Sequence, residues 1–536
     1  MFLGSLVRSA KKHKKIPVNG ISFDSRKVKK GNIFFAIRGN KTSGEKFIND
    51  AIKKGAKAII SEKKIEKKKL KVPIILVKDS RKALSEACSK YYKYKPKNII
   101  AVTGTNGKSS VANFFYQILS LNNISTASIG TLGVASKSYN KKTNLTSLDP
   151  ISLHKNLKIL KQKKIEHVIL EASSHGLKQK RLDGLNINIG IFTNLSHDHL
   201  DYHKNKKSYL NSKMYLFEKL LKKKAKIITD EEIKEFKVIK KIAKKRKINQ
   251  LTIGIDKGSI KILSSFYRKD RQIVKVLFNS KAFTINVPLI GDFQLKNLFM
   301  AVLAASCLGI KIKKIFKQLH KIKAVPGRLE CVAKLKNNSM AMIDFAHTPE
   351  ALEKILLTLK EQFRKKIILV FGCGGERDKK KRFTMGNIAS KYCRKIFVTD
   401  DNPRNENPKK IRNSIIKGCK KLAIDIGNRK QAIATAIKDL KTNEILLVAG
   451  KGHEKTQDYG KKIINFSDKK VIKEILKKMR LHFKKNNHQE YLLKKVFNNE
   501  DLKNVKYNGV SINTKTVKKI IYFLQLREIK MMVTNL

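Results

Sequence analysis

The residues with the clearest capacity for chemistry are Ala101-Val102-Thr103-Gly104-Thr105-Asn106-Gly107-Lys108-Ser109-Ser110. An apolar, β-branched run from Ile99 to Val102 stops at a glycine-rich turn. Lys108-Ser109 then opens an amphipathic helix through Val111, Phe114, Phe115 and Ile118. A strand, a loop and a helix N-terminus in that order aim backbone N–H groups at one point, which suits a polyphosphate. Lys108 is placed to reach the β- and γ-phosphates and the Ser109 hydroxyl to face Mg²⁺. The spacing departs from the common phosphate loop, because Val102 stands where the first glycine belongs. A bare Gly-Lys-Ser is frequent by chance. The strand before it and the helix after it favour a nucleotide site.

Three further strand ends carry unusual residues. Glu171 follows the buried run Val168-Ile169-Leu170 and opens Glu171-Ala172-Ser173-Ser174-His175-Gly176-Leu177. A carboxylate there, near the phosphate loop, can hold Mg²⁺ directly or through water, or it can simply cap a helix. The loop Thr193-Asn194-Leu195-Ser196-His197-Asp198-His199-Leu200-Asp201-Tyr202-His203 gathers three His and two Asp. Its spacing fails the zinc templates and fits Mg²⁺ held by oxygen ligands and one His. Phe371-Gly372-Cys373-Gly374-Gly375-Glu376-Arg377-Asp378 is a second glycine-rich turn without Lys-Ser, whose arginine offers a carboxylate clamp.

The elements that must position these residues alternate short β-rich runs with amphipathic helices, the pattern of α/β domains. The first unit has strands at Asn32–Ile37, Ala58–Ile60 and Ile74–Val77, with helices at Glu45–Lys54 and Arg81–Tyr92. Tyr94-Lys95-Pro96-Lys97 forms a linker, since the residue before a proline leaves the α region. The second unit continues from the phosphate-loop strand through His167–Glu171, Ile189–Asn194 and Ala225–Thr229, ending near Ala324-Val325-Pro326-Gly327. The third has strands at Met340–Asp344, Lys366–Phe371, Lys395–Thr399 and Glu444–Val448. In doubly wound sheets ligands sit at the carboxyl ends of strands, where the unusual residues lie. Beyond about Lys485 the pattern weakens. The expected division is therefore 1–95, 96–325, 326–485 and a tail, 486–536.

Composition excludes more than it assigns. A chain of 536 residues holds about three domains by the usual length prior. The formal charge of +77 would ordinarily point to nucleic acid. The excess is mostly lysine spread from Lys11 to Lys530, with abundant Ile and Asn and no Trp, the signature of AT-rich codons. No aromatic-interleaved basic stripe accompanies it, so the charge favours anionic small molecules instead. Cys88, Cys307, Cys331, Cys373, Cys393 and Cys419 lie far apart without a C-x-x-C pair, which implies neither zinc nor disulfides and a reducing, cytoplasmic compartment. The first eight residues are too short for a signal peptide. Asn297 to Ile310, an uncharged and mostly apolar stretch, is too short to span a bilayer and reads as a buried helix. A monomer meeting small molecules, and neither nucleic acid nor membrane, is expected.

Taken together, these stretches resemble the Mur ligases, ATP-dependent amino-acid-adding enzymes of peptidoglycan precursor synthesis. The likeness runs from about Phe23 to Phe466, and the short loop Gly104–Ser109 is the family form. The fold it implies is a small α/β UDP-substrate domain, a central P-loop-type ATPase domain with a mainly parallel sheet, and a C-terminal Rossmann-like domain for the incoming amino acid. Ser25 in Asp24-Ser25-Arg26 is similar to the uridine-diphosphate contact, with Asn40, Lys41 and Thr42 close by. Thr146 and Ser147 resemble the muramoyl-peptide contacts, although Leu148 replaces the family's proline. Ser173, Gln179 and Arg181 resemble further substrate contacts. Glu171 and His199 match Mg²⁺ ligands, and Lys213 matches a lysine that is carbamylated for a second magnesium. Asn297, Arg328, Asp344 and His347 match nucleotide contacts. Asp401-Asn402-Pro403-Arg404 matches the signature of diaminopimelate-adding members, with Arg377 aiding Arg404 and with Gly450 and Glu454 at the shared amino-acid end. The resemblance thus implies addition of meso-diaminopimelate to UDP-N-acetylmuramoyl-L-alanyl-D-glutamate through an acyl phosphate. A lysine-adding member, a folylpolyglutamate synthetase-like ligase and a nucleotide-binding scaffold are the rival readings.

The tail contains a repeat. Gly509-Val510-Ser511-Ile512-Asn513-Thr514-Lys515-Thr516-Val517-Lys518-Lys519 echoes Gly20-Ile21-Ser22-Phe23-Asp24-Ser25-Arg26-Lys27-Val28-Lys29-Lys30. Back-translated with AT-rich codons, whose choice is free at many positions, and read in a shifted frame, Ile520 to Leu536 can yield Asn-Ile-Phe-Phe-Ala-Ile, a repeat of Asn32 to Ile37. The expectation is that the tail is the start of a second Mur ligase, a D-alanyl-D-alanine-adding one, interrupted by a frameshift. A short basic tail with chance similarity is the bland alternative.

Overall fold

The computed structural model describes every residue except 40–41, 66–71, 197, 256–257, 269–270, 336, 421–422 and 480–536, and only the backbone of Leu200 and Asp201. Asn40, Lys41, His197 and the tail therefore lie outside the described residues.

The chain builds three α/β layers in sequence. Gly20–Ser22, Asn32–Phe35, Ala58–Ser61 and Ile74–Leu76 form a four-stranded parallel sheet in that order. The helix Ser80–Tyr91, capped by the Asp79 carboxylate accepting from Lys82 N at 2.9 Å, packs Leu84 and Cys88 against Phe35 and Ile60. Its other face ties this unit to the next: Ser85 and Ser89 donate to the carbonyls of Lys180 and Gly184, each at 2.6 Å. The helix expected over Glu45–Lys54 is divided. A 3₁₀ turn at Gly44–Phe47 leads into Ile48–Lys53, because only Ile48 and Ala51 have a core to bury into.

The central sheet has ten strands, ordered Lys281–Val287, Arg271–Phe278, Ile260–Arg268, Asn249–Gly254, Leu221–Asp230, Ile187–Phe192, Asn98–Thr103, His167–Glu171, Thr126–Gly130 and Gly133–Ser136. The phosphate-loop strand Asn98–Thr103 lies inside it, parallel to both neighbours. That placement explains its unbroken apolar character, since a strand covered on both faces needs no polar alternation. Helices Lys108–Leu121 and Asp292–Ser306 cover one face; the latter holds most of the uncharged stretch, buried from Asn297 to Ala305. Three strands, Ile260–Arg268 through Lys281–Val287, run antiparallel as an extension that the sequence reading missed. Arg271–Phe278 alternates exposed and buried positions, as a sheet with one wet face requires.

The third sheet is ordered Glu330–Lys334, Met340–Asp344, Glu444–Ala449, Lys366–Phe371, Lys395–Val398 and Ala423–Asp425, parallel except at its first strand. Glu444–Ala449, the last of these in the chain, inserts between Met340–Asp344 and Lys366–Phe371. Their carboxyl ends therefore meet at a point where the strand order reverses, the place where such sheets bind ligands. The helix after Asp344 starts where the sequence dictates. Thr348 caps it through Ala351 N at 3.3 Å, and Pro349 occupies its first turn.

Candidate active site

The carboxyl ends of the central and third sheets face one another across a cavity of about 760 Å³. The phosphate loop forms its floor. Gly104 and Gly107 take φ of +146° and +87°, conformations that side chains resist. A Cβ on Gly107 would lie 2.4 Å from Asn297 Oδ1, so the helix Asp292–Ser306 closes directly onto the loop. Lys108 Nζ folds back on the loop carbonyls of Gly104 (2.9 Å) and Thr105 (2.7 Å), and burial holds its ammonium below its ordinary range.

Ser109 Oγ donates to Glu171 Oε2 at 2.9 Å and accepts from the Arg328 guanidinium at 3.3 Å. Glu171 also accepts from Thr131 N (2.9 Å) and Thr131 Oγ1 (3.1 Å). Thr131, which the sequence reading did not single out, passes the network on to Thr146 at 3.1 Å. Arg328, held 4.3 Å over the Phe345 ring, reaches Ser109 from the third domain, so the second and third domains touch at the phosphate loop itself. Asp344 accepts from Leu329 N (2.5 Å) and Ala346 N (2.6 Å), and burial raises its carboxyl to about 6. His347 is half-buried beside it, its Nδ1 2.8 Å from the Phe345 carbonyl.

His199 takes φ of +54° and pairs through Nε2 with Asp198 Oδ2 at 3.3 Å. Burial pushes its ring down to about 3, against the pull of Asp198. The helix Lys206–Tyr215 carries Lys213, fully buried, whose Nζ donates to the Gly104 carbonyl at 2.7 Å. Burial first, then repulsion from Lys108, puts its ammonium well below the ordinary lysine range. Among the described residues no group of three or more His, Cys, Asp or Glu converges as a metal cage. A carboxylate and a hydroxyl, Glu171 and Ser109, are instead the kind of sparse, hard donor set that suits Mg²⁺ shared with phosphates.

On the third-domain wall, Arg404 sits at φ +54° and donates to the Gly375 carbonyl at 2.6 Å. Arg377 faces the same cavity. Asn402 donates to Glu454 at 2.9 Å, and the buried Lys451 bridges Asn402 (2.9 Å) and Glu454 (2.8 Å). Gly450 is required here, since a Cβ would lie 2.6 Å from Asp401 Oδ2. Glu406, absent from the sequence reading, braces both arginine loops. It accepts two bonds from the buried Arg382 (2.6 and 2.8 Å) and one from Glu376 N at 3.1 Å.

The cavity thus gathers the loop residues Thr105 to Ser110 with Thr146, Glu171, Ser173, His199, Lys213, Asn297, Arg328, Asp344, His347, Arg377, Asp401, Asn402, Arg404, Gly450 and Glu454. Other candidates lie off it. Ser25 is buried in a turn behind Asp24 and Thr42 is exposed, both in the first domain. Ser147, Gln179 and Arg181 form a linked group beside the cavity: Arg181 donates to the Ser147 carbonyl (2.5 Å) and to Gln179, and Ser147 Oγ to the Glu171 carbonyl (2.8 Å). Pro403 shapes the turn against Gly375 instead of lining the cavity.

Fold and site together define a three-domain α/β ligase architecture with a phosphate loop where the second and third domains meet. Residues 17–92 match the catalytic domain of the Mur ligase family, 102–305 the Mur ligase middle domain and 327–452 the glutamate ligase domain. The chain is 42% identical over 468 residues to the UDP-N-acetylmuramoyl-L-alanyl-D-glutamate--2,6-diaminopimelate ligase of Rickettsia montanensis, covering 86% of this chain and 96% of that one. It is 39% identical over 463 residues to the protein of the same name from Rhizobium meliloti, covering 86% and 94%. A solved structure of a ligase of that name superposes with a TM-score of 0.64 at 29% identity, over 87% of this chain and 96% of that one. The Thermotoga maritima MurF ligase solved with ADP shares the fold, with a TM-score of 0.58 at 20% identity over 86% and 97%. The chain belongs to the Mur ligase family.

Proposed function

We propose that this protein is an ATP-dependent ligase that adds meso-2,6-diaminopimelate to UDP-N-acetylmuramoyl-L-alanyl-D-glutamate during peptidoglycan precursor synthesis. The observation that carries the reading is the shared cavity: a phosphate loop on one wall and Arg377 with Arg404 on the other. A carboxylate is a poor acyl donor, so the D-glutamyl carboxylate first attacks the γ-phosphorus of ATP. A new O–P bond forms, the bond to ADP breaks, and an acyl phosphate results. The incoming amine then attacks the acyl carbon, loses a proton, and phosphate departs.

Phosphoryl transfer asks for positioning and charge neutralisation more than covalent help. Lys108 and Arg328 supply fixed positive charge at the phosphates, and the N-terminus of Lys108–Leu121 adds its dipole. Asn297, Asp344 and His347 surround the nucleotide. Magnesium, held by Glu171 and His199 with the Ser109 hydroxyl facing it, and a second ion served by a carbamylated Lys213, would neutralise phosphate charge. Thr146, Ser147, Ser173, Gln179 and Arg181 hold the muramoyl peptide, and Ser25, Asn40, Lys41 and Thr42 the uridine diphosphate. Arg404, aided by Arg377, grips the carboxylate that diaminopimelate has and lysine lacks, while Asp401, Asn402, Gly450 and Glu454 hold the amino-acid end. The cavity takes its phosphate loop and its arginine wall from one chain, which fits a monomer working on small molecules. The need for ATP supports a cytoplasmic location, and among the described residues no helix is long and apolar enough to cross a membrane.

Phosphate release measured with ATP, the UDP-linked dipeptide and meso-diaminopimelate tests the proposal. Release that requires all three supports it. Release with the dipeptide omitted, or with folate in its place, would overturn it.

A further inference from the structure

The repeat in the tail extends further than its eleven most similar residues. Asn508-Gly509 aligns with Asn19-Gly20 at a constant spacing of 489 positions, and the same spacing sets Leu492 on Leu3, Val496 on Val7 and Lys503 on Lys14. These positions do specific work in the first domain. Leu3, Val7 and Val28 are buried, and a Cβ on Gly20 would lie 2.6 Å from Asn32 Oδ1. Val517 and Gly509 supply the counterparts of Val28 and Gly20.

After Lys519 the likeness ends in the protein but not in the genetic code. Met531-Met532-Val533 is ATG-ATG-GTN whatever the codon usage, and the frame that starts at the third base of each codon reads Asp-Gly. At the same spacing that glycine falls on Gly44, where a Cβ would lie 2.6 Å from Ile37 N. In this frame Ile521-Tyr522-Phe523 gives Ile or Leu followed by Phe or Leu, on the counterparts of the buried Ile33 and Phe34. With AT-rich codons, and a final G in those of Leu524 and Arg527, the whole stretch can read Lys-Lys-Asn-Asn-Ile-Phe-Phe-Ala-Ile-Lys-Gly-Asn-Lys. Residues Lys29 to Lys41 of this chain are Lys-Lys-Gly-Asn-Ile-Phe-Phe-Ala-Ile-Arg-Gly-Asn-Lys. A single base added within the adenine-rich codons of Lys518-Lys519-Ile520 joins the two frames without a gap.

We infer that residues from about Glu490 onward encode the opening of a second UDP-substrate domain, whose continuation lies one base out of frame after Lys519. The locus therefore specifies a second ligase of the same class, in which Asn513-Thr514-Lys515 stand at the sequence positions of Asp24-Ser25-Arg26. The inference is independent of which amino acid the first ligase adds. The bulk of the 468 residues shared with relatives belongs to the first ligase alone.

The test is the nucleotide sequence of the gene and its transcript from Glu490 to beyond Leu536. The expected result is a run of adenines at Lys518–Ile520 and a shifted frame that stays open into a further ligase domain. A stop codon early in that frame, or an open frame without ligase sequence, would overturn the inference. A protein ending at Gln489 gives a second readout. Its kcat should stay within about twofold of the full chain, as expected if the removed residues belong to a second domain and not to the first ligase. A tenfold loss would assign the segment to the first ligase instead.

Discussion

Lys108 Nζ and Lys213 Nζ donate to the same oxygen, the Gly104 carbonyl, at 2.9 and 2.7 Å. Two buried ammonium groups on one acceptor repel each other, and burial already disfavours the charge on Lys213. A neutral amine is the form that captures carbon dioxide. Labelled bicarbonate should therefore give a carbamate signal in carbon NMR that disappears in Lys213→Ala. That variant should lose about 10- to 100-fold in kcat and recover part of it with added formate. An unchanged spectrum, or full activity in the variant, contradicts the assigned role.

Lys108→Ala should lower kcat by about 100- to 1000-fold, the scale of losing one preorganised charge on a transferring group. Binding of the UDP-linked dipeptide, measured by calorimetry, should persist, because Ser25 and its neighbours, which take its uridine-diphosphate end, lie in another domain. Substantial turnover in the folded variant would end the phosphate-loop assignment.

Arg404→Ala should raise KM for meso-diaminopimelate about 100-fold and leave KM for ATP in place, since a fork to a carboxylate is hard to replace. Arg404 is held toward Gly375 before substrate arrives, so Arg404→Lys should recover little.

Glu406→Gln tests the brace behind both arginine loops. Its carboxyl is lowered to about 2, first by the hydrogen bond from Arg382. A depressed folded pKa stabilises above the unfolded value, and the contribution fades as pH falls from about 4.5 toward 2. Leaving buried Arg382 half-paired should cost about 2 kcal/mol at pH 7, below the range for a fully buried pair because Glu406 is partly exposed. Chemical denaturation at pH 7 and pH 3 should show that difference shrinking with acidity. A gap that stays constant would contradict it.

The phosphate loop was legible because its requirements are local: two glycines at positive φ, a buried strand before and a helix after. Doubly wound order likewise follows from alternating runs, and it placed Asp344, Arg377 and Gly450 at strand ends. Asn297 came only through family likeness, yet its contact with Gly107 explains it physically. Leu148, which breaks the family pattern, is buried in the central core, so apolar packing replaces the rigidity of proline. The antiparallel strands after Ile260 escaped notice because their alternation is that of any half-wet surface sheet. Glu406 and Thr131 escaped because they act on partners 24 and 40 residues away, and no spacing rule reaches so far.

The central claim is the amino acid added. Incubating the enzyme with ATP, the UDP-linked dipeptide and equal amounts of meso-diaminopimelate and L-lysine, then weighing the product by mass spectrometry, tests it most directly. The account predicts the diaminopimelate tripeptide as the dominant product. A lysine tripeptide, or no UDP-linked tripeptide at all, would contradict it.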